Sequence, residues 1–292
     1  MPTLRDIRKR LKAIQNTKKI TAAMKMVAAA KMRKVQDRML NFRPYAARME
    51  TVLDGLAKVA EREIHPLLAL RPRKTVEVLV ITSDKGLCGA FNTNILKAAN
   101  KYINELKKEN IGFSLSVVGR KARDFFRRRA VPMRNTWIGL SGRVSYTNAQ
   151  EIAANLIEAY TAETFDEVTV IYNEFKSLIS QKVTMARLLP IGALKQEEGQ
   201  KETAMTADYL YEPSRAAIFE ILLPKHIEIQ VYRSLLESSA AEEAARMAAM
   251  ENATKNCTEL IAKVTLLANK VRQASITKEL MDIVGGVEAL KE

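Results

Sequence analysis

The two ends of the chain share a long alternation of apolar residues, spaced three and four positions apart. Over residues 4–60 this alternation passes through seventeen positions, and fourteen of them are apolar. The three exceptions, Lys18, Thr21 and Lys25, are consecutive in the series. Because this spacing keeps one stripe of a helix facing a partner helix, it predicts a left-handed coiled coil.

The C-terminal third of the chain carries the same alternation over residues 250–274. Proline fits the first turn of a helix best, so we expect a helix to start at Pro224 and to continue to Leu290. A helix of about 65 residues is on the order of 100 Å long and cannot fold alone as a globular domain. We therefore predict that the two terminal segments pair antiparallel; pairing with a second copy of the chain is the alternative. The predicted seam residues include Leu11, Met32, Val35, Met39, Cys257, Leu260, Val264, Leu267 and Val271.

The middle of the chain alternates between strand-like and helix-like patterns. Strands are predicted over residues 75–82, 113–119 and 167–175, and helical patterns near 93–108, 120–129 and 147–161 separate them. This order is typical of parallel β-α-β units. We expect a further strand over residues 180–191, antiparallel at a sheet edge, and a surface loop over 195–206. The predicted fold class is therefore α/β with long helices.

Positive charge is concentrated at the N-terminus. The chain has a net charge of +14, and residues 1–40 contain twelve Lys and Arg against Asp6 and Asp37. Such a segment favours an acidic partner, which nucleic acid, an anionic membrane or an acidic protein would provide. The chain has only two cysteines, Cys88 and Cys257, which suits a reducing compartment rather than a disulfide framework. With no apolar run near 18 residues, we expect a cytoplasmic protein without a transmembrane helix.

The stretch SDKGLCGAFN, residues 83–92, stands where a parallel sheet often binds phosphate, between a predicted strand and a predicted helix. A Walker A loop requires a lysine and a hydroxyl after its last glycine, but Ala90 and Phe91 follow Gly89 here. A dinucleotide fingerprint requires a third glycine. Arg120 and Lys121 after the second strand keep an NADP-dependent oxidoreductase as an alternative. A glycine turn at a strand-to-helix crossover is the interpretation we favour.

Cys88 does not have the sequence context of a catalytic nucleophile. A nucleophilic cysteine requires a base, and the only histidines, His65 and His226, each lie close to a proline near a predicted helix end. Two histidines and two scattered cysteines also lack the spacing of a metal site. A basic RNA-binding coiled coil remains an alternative, although residues 1–40 contain no aromatic residue on which bases could stack.

Four stretches resemble the gamma subunits of F-type ATP synthases. They are QNTKKITAAMKMVAAAKMRK at residues 15–34, SDKGLCGAFNTN at 83–94, AARMAAMENAT at 244–254 and RQASITKELMDIVGGVEAL at 272–290. The resemblance implies a coiled-coil shaft inside a ring of alternating alpha and beta subunits, with a Rossmann-like domain at its foot. It implies no active site and no cofactor in this chain, because the beta subunits bind the nucleotide.

The resemblance also implies domain boundaries, contacts and partners. The expected domains are residues 1–60, 61–212 and 213–292. The expected partners are the alpha and beta subunits, the epsilon subunit and the c-ring, with one copy of the chain per complex and no nucleic acid. The expected location is the cytoplasmic face of a bacterial inner membrane, reached only through the c-ring. The residues assigned to contacts with the ring are Met24, Cys88, Arg246, Arg272, Gln273, Thr277 and Glu279; an apolar sleeve at the top of the ring is expected to receive Leu280, Ile283, Val284, Val287 and Leu290.

Overall fold

The first and last elements of the chain are two long helices: α1, Leu4–Ala57, and α5, Arg215–Ala289. A computed structural model describes residues 3–57, 65–140, 142–177, 180–191 and 215–289. The predicted domain boundaries at 60–61 and 212–213, and the predicted loop at 195–206, lie outside these residues.

The segment of the chain between the long helices forms a mixed five-stranded sheet, with both parallel and antiparallel pairs. The strands are β1, Thr75–Ile81, β2, Gly112–Val118, β3, Asn135–Trp137, β4, Glu167–Phe175, and β5, Gln181–Leu189. The order across the sheet is β3-β2-β1-β4-β5, in which only β5 is antiparallel to its neighbour. The connecting helices are α2, Phe91–Lys108, α3, Arg120–Arg127, and α4, Tyr146–Thr161. The predicted α/β class and the antiparallel edge strand are confirmed; the three-residue strand β3 is an addition.

Helices cover both faces of the sheet, because apolar side chains alternate along its central strand. Val76, Val78 and Val80 of β1 pack with α2 and α3 in one core. Leu79 and Ile81 belong to a second core, which contains α4 and parts of α1 and α5. A largely parallel sheet with both faces covered is the doubly wound, Rossmann-like arrangement.

The chain forms two compact units, Met1–Ala28 with Arg246–Glu292 and Ala29–Ala245. In the first unit α1 and α5 run antiparallel, since residue numbers rise along one helix as their partners fall along the other. The Oγ1 atoms of Thr21 and Thr254 lie 2.8 Å apart, and Lys25 Nζ lies 3.4 Å from Glu251 Oε1. Two of the three polar exceptions in the apolar alternation therefore have polar partners on the facing helix.

Most predicted seam residues are buried or half-buried. In α1, Met32 and Val35 are buried, while Leu11 and Met39 are half-buried. In α5, Cys257 and Val264 are buried and Val271 is half-buried.

The seam of α5 differs from the prediction at two positions. Leu260 is 42% exposed and Leu267 is 44% exposed, whereas their neighbours Ile261 and Ala268 are half-buried. Steps of three and then four residues lead from Cys257 through Leu260 to Val264. Steps of four and then three residues also lead from Cys257 to Val264, but through Ile261. Both candidates at each intervening position are apolar, so the sequence pattern alone does not distinguish these two registers.

Proline interrupts neither long helix. Pro44 lies inside α1, as expected, but Pro224 also lies inside α5, so the predicted helix start at Pro224 is wrong. A proline inside a helix costs about 3 kcal/mol. The buried side chains of Phe219, Leu223 and Ile227 form one stripe through this region, and each contributes roughly 1.5–3 kcal/mol. Packing of that stripe offsets the lost hydrogen bond.

Candidate functional site

The loop between β1 and α2 is held closed by its own side chains. Ser83 N–H donates to Asn92 Oδ1 at 3.0 Å, and Asn92 Nδ2 donates to Ser83 Oγ at 2.8 Å and to Cys88 Sγ at 3.2 Å. The start of α3 is attached to the same loop, because Arg120 N–H donates to Asp84 Oδ1 at 3.0 Å. These bonds use Ser83, Asp84 and Asn92 to fix the shape of the loop and to join it to α3.

Cys88 is buried within the protein. Its side chain is 1% exposed, while the adjacent Leu87 is 63% exposed. Leu87 has a φ of +65°, a left-handed conformation that turns this leucine outward. Leu87 is therefore the accessible large apolar side chain of the loop, whereas the thiol of Cys88 is buried. An exposed leucine in a left-handed conformation has no signature in a single sequence, which is why sequence reasoning missed it.

The closest backbone approach in this region occurs at Gly119, at the end of β2. Its φ is +96°, and a Cβ atom there would lie 2.3 Å from the carbonyl oxygen of Thr82. Gly89 has a φ of +57°, which fits the expected glycine turn. Gly86 has neither a left-handed φ nor a close backbone neighbour. A Cβ atom there would lie 3.8 Å from Lys121 Cε, on a flexible side chain.

A basic cavity of about 340 Å³ lies between this loop and α3, and Lys121, Arg128, Arg129 and Asp124 are among its lining residues. A hydrogen bond from Arg123 holds the pKa of Asp124 below its usual range, although burial opposes it, and nearby cations lower the pKa further. Asp124 is thus ionised at neutral pH and offsets part of the positive charge. Arginine and aromatic side chains, here Arg128, Arg129 and Phe125, are enriched in protein-protein contacts.

The last turns of α5 are exposed to solvent. All side chains of residues 272–286 are exposed, including the predicted contact residues Arg272, Gln273, Thr277 and Glu279. Large apolar side chains in the same segment are half or more exposed: Ile276, Leu280, Met281, Ile283 and Val284. Exposed apolar side chains concentrated on one segment mark a surface for a partner.

Two glycines interrupt this exposed segment. A Cβ atom on Gly285 or Gly286 would meet no atom within 4 Å. Close approach to the rest of the described chain therefore does not explain them. The predicted apolar residues Val287 and Leu290 have no described side chain.

The other two predicted contact residues, Met24 and Arg246, are less accessible. Met24 is half-buried, and Arg246 is 9% exposed. Little of the Arg246 side chain is left for a partner. The positive charge of α1 is more available, because nine of the twelve Lys and Arg side chains in residues 1–40 are exposed.

The two histidines differ in their surroundings. His226 is 6% exposed, and His65 Nδ1 accepts a hydrogen bond from the Leu67 N–H at 3.1 Å. Burial lowers the pKa of His65, although Glu220 opposes this effect. Over the part of the chain that the structure describes, no group of three or more His, Cys, Asp or Glu side chains could hold a metal ion. Within the same residues, no helix is both long and apolar enough to cross a membrane.

Comparison with known proteins gives matches over the full chain. A family profile described as ATP synthase matches residues 3–290. The ATP synthase gamma chain of Geobacter sp. is 47% identical over 291 residues, and that of Pelotomaculum thermopropionicum is 46% identical over 291 residues; each alignment covers 100% of both chains.

Solved structures give the same result for the fold. A chain in the central stalk and c-ring structure of the Tetrahymena thermophila mitochondrial ATP synthase is 31% identical, with a TM-score of 0.61 over 80% of this chain and 99% of that one. A chain in the Euglena gracilis mitochondrial ATP synthase is 24% identical, with a TM-score of 0.67 over 98% of this chain and 94% of that one. Sequence and fold agree over the whole length, and the chain belongs to the ATP synthase gamma chain family.

Proposed function

We propose that this chain is the central rotor shaft of an F-type ATP synthase. In this role it couples ion flow through the membrane sector to ATP synthesis or hydrolysis at the beta subunits. The observation that carries the proposal is the form of α5, which pairs with α1 and then continues through residues 272–286 with every side chain exposed. An exposed end of this kind fits insertion into a surrounding partner. The central-stalk description of the Tetrahymena relative supports the same role.

The chain performs this role without an active site of its own. The loop after β1, where a parallel sheet would bind a nucleotide, uses Ser83, Asn92 and Asp84 in internal hydrogen bonds. Nucleotide chemistry therefore belongs to the beta subunits. The oxidoreductase and RNA-binding alternatives have no further support, since the family of the chain accounts for the motifs that raised them.

The proposed partners match the exposed surfaces. The alpha and beta subunits surround the helix pair, and acidic loops of the beta subunits face the basic side of α1. Attraction between exposed charges is long-ranged and tolerates sliding, whereas close-packed side chains would hold one register. The Rossmann-like sheet meets the epsilon subunit and the c-ring. One copy per complex lies at the cytoplasmic face of a bacterial inner membrane, and the c-ring provides its only link to the bilayer.

Co-purification tests this proposal. The tagged chain is expressed with alpha and beta subunits, and the composition of the isolated complex is measured by native mass spectrometry. We expect one copy of the chain per ring, with ATP hydrolysis in the complex and none in the isolated chain. Hydrolysis that stays with the isolated chain through further purification, or failure to join the ring, would overturn the proposal.

A further inference from the structure

Three aromatic rings connect α1, α5 and the beginning of α4 within the unit Ala29–Ala245. The rings of Phe42 and Tyr232 meet edge to face, with centroids 4.9 Å apart. Tyr232 meets Tyr146, the first residue of α4, in the same way at 5.5 Å. Edge-to-face pairs have a preferred angle, because the positive ring edge faces the negative ring face.

Hydrogen bonds run beside these rings. Tyr146 Oη donates to Glu228 Oε2 at 2.7 Å, and Lys225 Nζ donates to the same oxygen at 2.8 Å. Burial, together with Glu228, raises the pKa of Tyr146, so its hydroxyl remains a donor. Burial raises the pKa of Glu228, but the bonds from Lys225 and Tyr146 outweigh it and leave this pKa below its usual range. A charged acceptor makes these bonds stronger than neutral ones.

A separate bond attaches the other long helix. Arg38 Nη1 in α1 donates to the carbonyl oxygen of Val144, two residues before α4, at 2.9 Å. Both long helices are thus bonded independently to the beginning of α4. We call this set the α4 clamp: Arg38, Phe42, Val144, Tyr146, Glu228 and Tyr232.

The clamp adds hydrogen bonds to a core that is held mainly by apolar packing. The core around it is mainly aliphatic, with Ile152, Leu156, Leu223 and Ile227 among its members. Aliphatic packing is non-directional, so it resists separation of the elements more than rotation of one against another. Hydrogen bonds weaken steeply when they bend, and therefore resist that rotation.

We infer that the α4 clamp transmits torque between the sheet and the segments of α1 and α5 that lie in the same unit. The inference rests on the proposed rotor function, since only a rotating shaft carries a twisting load at this junction. Under such a load these segments turn against the sheet only if the bonds from α1 and from α5 to the beginning of α4 both distort.

Torsional stiffness in the assembled complex tests the inference. The alpha/beta ring is fixed to a surface, and a bead is attached through Lys108→Cys, an exposed position at the end of α2. The native thiols Cys88 and Cys257 are 1% and 8% exposed, so labelling favours the new site. Angular fluctuation of the bead is recorded with rotation stalled, and its variance is inversely related to stiffness.

The test variant combines Arg38→Met with Tyr146→Phe. These substitutions remove the hydrogen bonds from Arg38 to Val144 and from Tyr146 to Glu228. Methionine keeps most of the length of the arginine side chain, and phenylalanine keeps the aromatic ring. Tyr102→Phe is the matched control, because it removes a half-buried hydroxyl on α2 that accepts from Arg73 at 2.7 Å and is not part of the clamp. We expect about a twofold larger variance in the test variant and the wild-type variance in the control.

Wild-type variance in the test variant would overturn the inference, whether or not its melting temperature falls, because a purely structural role changes stability alone. If the double variant does not assemble, Tyr146→Phe alone decides by the same criterion. Failure of the proposed function gives a different result: the bead on the wild-type complex would not rotate with ATP before it is stalled.

Discussion

Gly119 shows how a single backbone position fixes the close approach between the end of β2 and the end of β1. Its φ of +96° is a conformation that side chains rarely adopt, and an added Cβ atom would lie 2.3 Å from the Thr82 carbonyl oxygen. The Thr82 backbone cannot withdraw, because its N–H donates to the Val118 carbonyl at 2.8 Å. The strain and the overlap therefore act together.

Gly119→Ala is expected to lower the free energy of unfolding by about 3 kcal/mol or more, from backbone strain and steric overlap. Gly86→Ala is the control, because it adds the same methyl group with 3.8 Å of space and no left-handed backbone. Chemical denaturation of both variants measures the difference. Equal stabilities for the two variants would contradict the account of this crossover.

The pair Thr21 and Thr254 makes a second prediction at this scale. Their Oγ1 atoms lie 2.8 Å apart across the seam, and Thr21 is 8% exposed. Thr21→Val and Thr254→Val are each expected to cost about 1 kcal/mol, with a coupling of about 0.5–1.5 kcal/mol in the double variant. Thr258→Val, at an exposed position of the same helix, provides the control. Strict additivity in the double-mutant cycle would mean that the two hydroxyls do not interact.

At the scale of the element, sequence periodicity predicted the existence of both long helices and the type of every element except β3. Strand β3 has only three residues, Asn135–Trp137, which is too short for a periodic pattern. The helix start was misplaced at Pro224 because the local preference of proline is weaker than the packing of Phe219, Leu223 and Ile227. The positions of Leu260 and Leu267 could not be predicted, since an apolar neighbour stands beside each.

The seam makes a prediction about the helix pair. Val264 is 7% exposed, so Val264→Asp buries a carboxylate and is expected to lower the free energy of unfolding by at least ~3 kcal/mol. Leu266→Asp introduces the same charge two residues away at a position 69% exposed, and we expect a change within about 0.5 kcal/mol. Circular-dichroism melts compare the two. A wild-type melt for Val264→Asp would show that the seam is assigned to the wrong face.

The exposed end of α5 is expected to contribute little to the stability of the isolated chain. A chain that ends at Val271 loses residues 272–292, and the side chains described there, those of residues 272–286, are all exposed. Calorimetry of the isolated chain is therefore expected to give a melting temperature within about 2 °C of wild type. The same truncation is expected to lower the yield of complex with alpha and beta subunits. A large fall in melting temperature would place these turns in an intrachain contact instead.

At the scale of the whole molecule, the sequence predicted the architecture better than the surface. Both cores follow from apolar periodicity, which a single sequence displays directly. Accessibility depends on how the chain folds around each side chain: Cys88 is covered within a loop closed by Asn92, and Arg246 is 9% exposed despite its charge. The burial of Cys88 and Arg246 could therefore not be predicted from the sequence, and the contacts assigned to them stay predictions.

The central claim is that this chain rotates inside its ring when ATP is hydrolysed. With the alpha/beta ring fixed to a surface and a bead attached through Lys108→Cys, video microscopy records the angle of the bead as ATP is added. We predict continuous rotation in one direction that stops when ATP is withdrawn. Steady ATP hydrolysis by the same complexes with a bead that shows only random angular motion would contradict the claim.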